Sequence, residues 1–332
     1  MRRVVWDMET GDPDDFITLL LLAGHPGVDL RAVTVTPGTA AQVGIVRHGL
    51  ELLGRDDVRV GAGQLDHPKD AVSPWHYQAL GPIEPSRAAE AAAPLLAAVC
   101  DGDTTLICGA PLKNLGRALQ VDGFTLGRLV VQGGFAGTGV VPEERQLDKF
   151  KGRTTCPSFN LNGAPKAVFA ALASPGIGER WFVSKNVCHG VAYDEAMHAR
   201  FAPATAPGLR LIRRLMGDNL RDRPGGKLFH DPLAACCALD PGIAEWAEVE
   251  LYRERGEWGA RPRPGSGTRI IVGYDHERFL TTLLAERQAT RPPAERQGTA
   301  DVERQGTADV EREEAPDAEP DGAPGSGREV VS

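Results

Sequence analysis

The sequence has no apolar stretch long enough to cross a bilayer. Its longest strongly apolar run, Phe16 to Ala23, falls far short of the roughly 20 residues a membrane-spanning helix needs. No apolar segment with a small-residue cleavage site follows Met1-Arg2-Arg3, so a cytoplasmic location is the expectation and no membrane partner is implied. None of the six cysteines (Cys100, Cys108, Cys156, Cys188, Cys236 and Cys237) forms a C-x-x-C pair, which argues against a zinc or redox motif. They lie among apolar neighbours and read as reduced core thiols. There is no basic stripe to meet a nucleic acid. The formal charge of −8 sits mostly at the C-terminal end, where 12 acidic and 6 basic residues follow from Glu286 onward. The rest of the chain therefore carries only about −2.

What is present is the composition of a soluble globular protein, 42% hydrophobic and 25% charged. Near the end, Glu295-Arg-Gln-Gly-Thr-Ala-Asp-Val302 recurs as Glu303 to Val310, and a third copy begins at Glu311-Arg312. An eight-residue polar repeat has little to bury. Disorder is predicted for 286–332, after one folded domain over 1–285. Gly298 and Gly306 oppose the alternative, a helical repeat array.

Within 1–285, short β-like runs alternate with helical patterns. Strands are predicted at Val4–Asp7, Leu30–Thr36, Val58–Gly61, Thr104–Cys108, Leu129–Gln132, Trp181–Ser184 and Arg269–Val272. Helices are predicted at Asp14–Ala23, Ala40–Leu53 and Ala88–Cys100. This rhythm predicts an α/β fold, Rossmann-like, with a mostly parallel central sheet and helices on both faces. Ligands in such sheets bind at the carboxyl ends of the strands.

One strand end is unusual. Asp7-Met-Glu-Thr-Gly-Asp-Pro-Asp-Asp15 puts five carboxylates into nine residues. Helix capping and the helix dipole explain one or two of them, not all five. Such a cluster calls for a hard cation with oxygen ligands. A second segment, Phe229-His230-Asp231-Pro232, opens another apolar helix. Asp231 and Pro232 suit a helix start on their own. Beside an acidic turn, Asp231 completes an oxygen cage and His230 is a candidate general acid.

Together these two segments resemble the inosine–uridine-preferring nucleoside hydrolase family, over roughly residues 3–284. Gly109-Ala-Pro-Leu-Lys-Asn-Leu115, Val130-Val-Gln-Gly-Gly134, Ser158-Phe159-Asn160 and Pro165-Lys-Ala167 are similar to further family elements. The resemblance implies hydrolysis of the N-glycosidic bond of a ribonucleoside or related riboside, a small-molecule substrate, with Ca²⁺ as cofactor and a calcium-held water as nucleophile. It implies Glu9, Asp15, Asp231 and the Lys113 carbonyl as metal ligands, with Glu9 also activating the water. Asp14 and Asn160 match groups that hold the ribose 2′- and 3′-hydroxyls. His230 matches the acid that protonates the leaving base, and His76 a base-pocket histidine. Homo-oligomers are usual in the family, and nucleoside salvage is its usual setting.

The sequence departs from the family pattern at three places. The turn from Glu9 to Asp14 is one residue longer than usual, so Asp12 competes with Glu9 as the ligand. Glu9 stands for an aspartate. Ser158 replaces a glutamate at the ribose 5′ side, and Gly137-Thr138-Gly139 stands where an asparagine is common. These last changes predict a substrate with a modified or larger 5′ side, or weak activity on ordinary nucleosides. Two other functions compete. Val4-Val-Trp-Asp-Met-Glu-Thr-Gly11 resembles the first motif of DEDD-type 3′–5′ exonucleases, but the apolar helix starting at Asp14 and the missing later Asn-x-x-Phe-Asp motif oppose it. A catalytically weakened riboside-binding protein is favoured by Ser158 and opposed by the retained Asp14, Asp15, His230 and Asp231.

Overall fold

Val4, Val5 and Trp6 are all fully buried. A strand covered on both faces reads as a continuous apolar run, as central strands of parallel sheets do. The computed structural model describes residues 1–69 and 71–286. In chain order its strands are β1 (Arg2–Met8), β2 (Val28–Val35), β3 (Arg59–Ala62), β4 (Glu90–Ala91), β5 (Thr104–Cys108), β6 (Leu126–Gln132), β7 (Thr155–Cys156), β8 (Ile177–Val183), β9 (Ala192–Tyr193), β10 (Lys227–Leu228), β11 (Ala244–Glu254), β12 (Glu257–Pro262) and β13 (Thr268–Tyr274). One sheet runs in the order β4-β3-β2-β1-β5-β6-β8-β13-β11-β12-β7. It is parallel from β4 to β13 and antiparallel from β13 to β7. β1 is flanked by parallel partners on both sides, not by the antiparallel strand that the exonuclease reading requires.

Alternate residues of β1 feed two cores. Val4, Trp6 and Met8 join Phe16, Leu19, Leu215 and Leu233 in one. Val5 joins Leu95, Leu106, Leu115 and Val168 in the other. The layers come from helices Pro13–Gly24, Pro207–Asp222 and His230–Leu239 in the first case and Ala92–Val99, Lys113–Ala118 and Pro165–Ala173 in the second. All six cysteines are buried and free. Among the described residues no helix is long and apolar enough to cross a membrane.

Several elements, helix Pro207–Asp222 among them, were not expected from the sequence, and two differences have a local cause. The helix predicted from Ala88 starts at Ala92, because Glu90 and Ala91 pair with Gly61 and Ala62 at the sheet edge. The β11–β12 hairpin was not predicted. Its turn, Arg255-Gly256, has positive φ at both residues (49° and 86°), the twist that a tight hairpin favours. Glu286 belongs to the folded body: its carboxylate accepts hydrogen bonds from the Thr205 N–H and hydroxyl and from the Ala206 N–H. The disorder predicted for the remaining tail falls on 287–332, outside the described residues.

Candidate active site

The carboxyl ends of β1, β5 and β6 open into one cavity of about 490 Å³. Glu9 follows the last residue of β1, Gly109 the last of β5, and Gln132 ends β6. All three line the cavity, together with Asp12, Asp14, Asp15, Asn160, His230 and Asp231. Two helices aim their N-termini at it, Pro13–Gly24 and His230–Leu239. Their first N–H groups, which have no partner within the helix, and their dipoles favour negative charge there.

Four carboxylates of the opening turn, those of Asp7, Asp12, Asp14 and Asp15, accept identifiable hydrogen bonds. Asp7 is buried behind the cavity, where its Oδ1 accepts from Thr34 Oγ1 (2.6 Å) and Asn114 Nδ2 (2.8 Å). Burial pushes its pKa up to about 6. Asp12 is the N-cap of helix Pro13–Gly24, accepting from the Asp14 N–H at 3.3 Å. It is also ion-paired to Lys227 at 2.8 Å. Asp14 Oδ2 accepts from the His230 and Asp231 N–H groups, and its Oδ1 faces Lys227 Nζ at 3.3 Å. Asp15 Oδ1 accepts from the Glu9 N–H at 3.0 Å.

Carboxylate oxygens of Asp14, Asp15 and Asp231 lie within 4.8 Å of one another, and all three residues are buried. Asp231 Oδ1 is buried without a hydrogen-bond partner. Burial, and then mutual repulsion, raises the proton affinity of Asp15 and Asp231 well above the usual carboxylate range. Burial and Asp12 push Glu9 up to about 7, and burial also brings Asp14 to about 7 against the pull of Lys227. Lys227 makes its ion pairs with Asp12 and Asp14. So many desolvated anions demand protons or a cation. An all-oxygen set with an unpaired buried acceptor fits a hard divalent cation.

Protons and a cation therefore compete for the same oxygens. A carboxylate whose folded pKa is raised binds more protons folded than unfolded, so its contribution to stability is lost as pH rises through the folded value. For Glu9 and Asp14 that window runs from about pH 4 to pH 7. A bound cation would reverse the loss. The expected outcome is a calcium-induced rise in melting temperature that is larger at pH 7.5 than at pH 5.5, read by calorimetry with and without chelator.

His230 lines the cavity beside this cluster. Its Nε2 is buried without a partner, and burial, then Lys227, lowers its pKa to about 4. The His189 ring stacks on it at 4.6 Å and 23°. Asn160 Nδ2 donates to the Gly109 and Gln132 carbonyls and to Gln132 Oε1. Those carbonyls accept only from the amide nitrogen, so Asn160 Oδ1, buried and unpaired, is left as a free acceptor.

Three residues expected at the site do not line the cavity. Ser158 is buried, and its hydroxyl accepts the Gly134 N–H at 3.1 Å, where φ of 84° suits glycine. His76 is packed against Phe16 and Trp75, with Nδ1 toward the Ser73 carbonyl. Lys113 is exposed at the start of helix Lys113–Ala118, although its charge lowers the proton affinity of Glu9. Conversely, Gln132, Lys227, His189 and the exposed Phe159 at the cavity lining were missed as site residues. Gln132 stands in a segment already noted at a strand end. Lys227 and His189 carry no local pattern that would have marked them.

Gly109 is where the backbone must pass close to the site. A methyl group there would stand 2.4 Å from Trp6 Cη2 and 2.8 Å from Asp231 Oδ1. Neither neighbour is free to yield, because Trp6 is core and Asp231 opens a buried helix. Gly109→Ala is expected to cost about 1–3 kcal/mol of stability and to weaken metal binding, as checked by urea titration and calcium calorimetry. Unchanged values in both would show that the site tolerates the shift.

Comparison with known proteins identifies the family and the fold. The family model described as inosine-uridine preferring nucleoside hydrolase matches residues 4–281. A pyrimidine-specific ribonucleoside hydrolase, RihB, from Shigella flexneri serotype 5b (strain 8401) is 28% identical over 181 residues, 49% of this chain and 58% of that protein. The match thus spans little more than half the length of that relative. Among solved structures, the plant nucleoside hydrolase PpNRh1 superposes with a TM-score of 0.65 at 18% identity, over 85% of this chain and 98% of its own. A purine-preferring ribonucleoside hydrolase from Gardnerella vaginalis gives 0.63 at 20% identity, over 85% and 97%. At these identities the structural likeness speaks for the fold.

Proposed function

We propose, on the premise that the chain belongs to the inosine-uridine preferring nucleoside hydrolase family, that it hydrolyses the N-glycosidic bond of a ribonucleoside or related riboside at this cavity. The observation that carries the reading is the convergence of Asp14, Asp15 and Asp231 within 4.8 Å in a cavity also lined by His230 and Asn160.

Asp15, Asp231 and Glu9 would hold the cation, for which Ca²⁺ is the proposed ion; Lys113, which does not line the cavity, is not among these ligands. When bound, such an ion acidifies a water and anchors hydroxyl oxygens. Asp12 is engaged as helix cap and partner of Lys227, which favours Glu9 over Asp12 as the ligand. Asp14 and the free Oδ1 of Asn160 accept hydrogen bonds from the ribose diol. They fix the sugar while it passes through an oxocarbenium-like state. Glu9, at the cavity end of β1, takes up the proton released by the attacking water.

His230 is neutral in the free protein at neutral pH, since its pKa is held near 4. Negative charge developing on the departing base raises the proton affinity of an imidazole beside it. His230 on that account takes up a proton from solvent and, as the imidazolium, delivers it as the bond breaks, which the base needs because it leaves poorly as an anion. The test is base release from a riboside panel under calcium and under chelator.

The 5′ side of the sugar is proposed to be modified or enlarged. Ser158, which stands for the family's glutamate, spends its hydroxyl on the Gly134 N–H, while Phe159 is exposed at the cavity lining. Ribosides with 5′ substituents are expected to show kcat/KM at least equal to that of inosine and uridine. Inactivity on every 5′-substituted member beside good turnover of the plain nucleosides would overturn this.

A further inference from the structure

His230 has a second set of neighbours besides the carboxylates. Cys188 Sγ and one ring nitrogen each of His189 and His230 lie within 4.8 Å of one another. Cys188 is fully buried, and its sulfur accepts a hydrogen bond from Gln132 Nε2 at 3.6 Å. His189 Nδ1 faces Lys149 Nζ at 2.9 Å. His230 Nε2 is buried and has no partner at all. One sulfur and two imidazoles make a donor set of a different kind from the neighbouring oxygens.

We propose that Cys188, His189 and His230 form a second metal site, specific for a thiophilic ion of the Zn²⁺ type, whose occupation withdraws His230 from the cavity. Thiolate and imidazole ligands select zinc-like ions, whereas Ca²⁺ requires oxygen. Zinc bonds of about 2.3 Å to sulfur and about 2.0–2.1 Å to nitrogen require the three donors to close up, which the two half-buried rings achieve by rotating out of their stack. Three protein ligands leave a fourth position for water. Binding converts the neutral thiol to thiolate and releases one proton to solvent, with no change of oxidation state. Lys149, Lys185 and Lys227 face the histidines, and Lys185 also Cys188, and oppose a cation, while Asp14 and Asp231 face Cys188 and Asp12 faces His230 and favour one.

The metal site stands on geometry alone. Only its inhibitory effect rests on the proposed role of His230. The experiment is a Co²⁺ titration of the full chain in excess Ca²⁺, read by the near-ultraviolet thiolate-to-cobalt charge-transfer band. The expected result is a band that saturates at one equivalent and is lost in Cys188→Ala and in His189→Gln. His189→Gln alters a half-buried residue and carries the test if Cys188→Ala does not fold. No band in the wild type, or an undiminished band in the variants, overturns the site. In parallel, Zn²⁺ should lower turnover of a natural nucleoside roughly tenfold or more in the wild type and leave Cys188→Ala nearly unaffected. A cobalt band that is diminished in His230→Gln, without loss of wild-type turnover, keeps the metal site and instead refutes His230 as the acid.

Discussion

Replacing Asp15 with alanine is expected to abolish tight calcium binding and to lower kcat on a ribonucleoside by roughly a thousandfold or more. Asp15 is buried, accepts the Glu9 N–H, and lies within 4.8 Å of Asp14 and Asp231. Without it the cage loses one of its anions and the Glu9 turn loses its tie to the helix start. A cation stabilising charge at the reacting centre contributes several kcal/mol, and each 1.36 kcal/mol is about tenfold in rate. The fold should survive and even gain stability in the metal-free state, because one desolvated carboxylate of a repelling group has gone. Calorimetric calcium titration and steady-state kinetics read the two effects separately. Unchanged turnover in this variant would refute the assigned cage.

His230→Ala is expected to have the second largest effect, a loss of about 10²–10⁴ in kcat on ribosides whose base leaves poorly. The loss should nearly vanish for a riboside with a nitrophenolate leaving group, which departs without a proton. A structural role would slow both substrates alike. The His230 backbone N–H contributes to holding Asp14 and is retained in the variant, so KM should change less than kcat. Equal losses on both substrates would assign His230 to positioning rather than to proton delivery.

How much of this was legible beforehand follows from what each residue needs nearby. β1 and the helix after it were readable because their apolar runs are local and both faces are covered. The acidic turn and His230-Asp231 could be linked because each is dense in chemistry over a few residues. Asp12 could not be placed. Its role depends on Lys227, which lies on β10, far along the chain, and enters through a long-range ion pair. The same holds for His189, whose ring matters only because helix His230–Leu239 lays His230 on it. Ser158 looked like a substrate contact from its position in a motif. Its hydroxyl is directed by the N–H of Gly134, which a sequence pattern does not expose. The β11–β12 hairpin is a different case. Trp246, Val249 and Leu251 alternate in part with Glu245, Glu248 and Glu250, a usable strand signal, but the segment lacks a continuous apolar run such as Val4-Val5-Trp6.

The central claim is that the acidic cluster is a cation site that drives cleavage of a riboside. Release of free ribose from inosine, uridine and 5′-substituted ribosides, followed before chelation, after chelation and after calcium is restored, tests it most directly. The account expects release that stops with chelator and returns with calcium. Release indifferent to chelator, or none from any riboside while calcium binds, would contradict it.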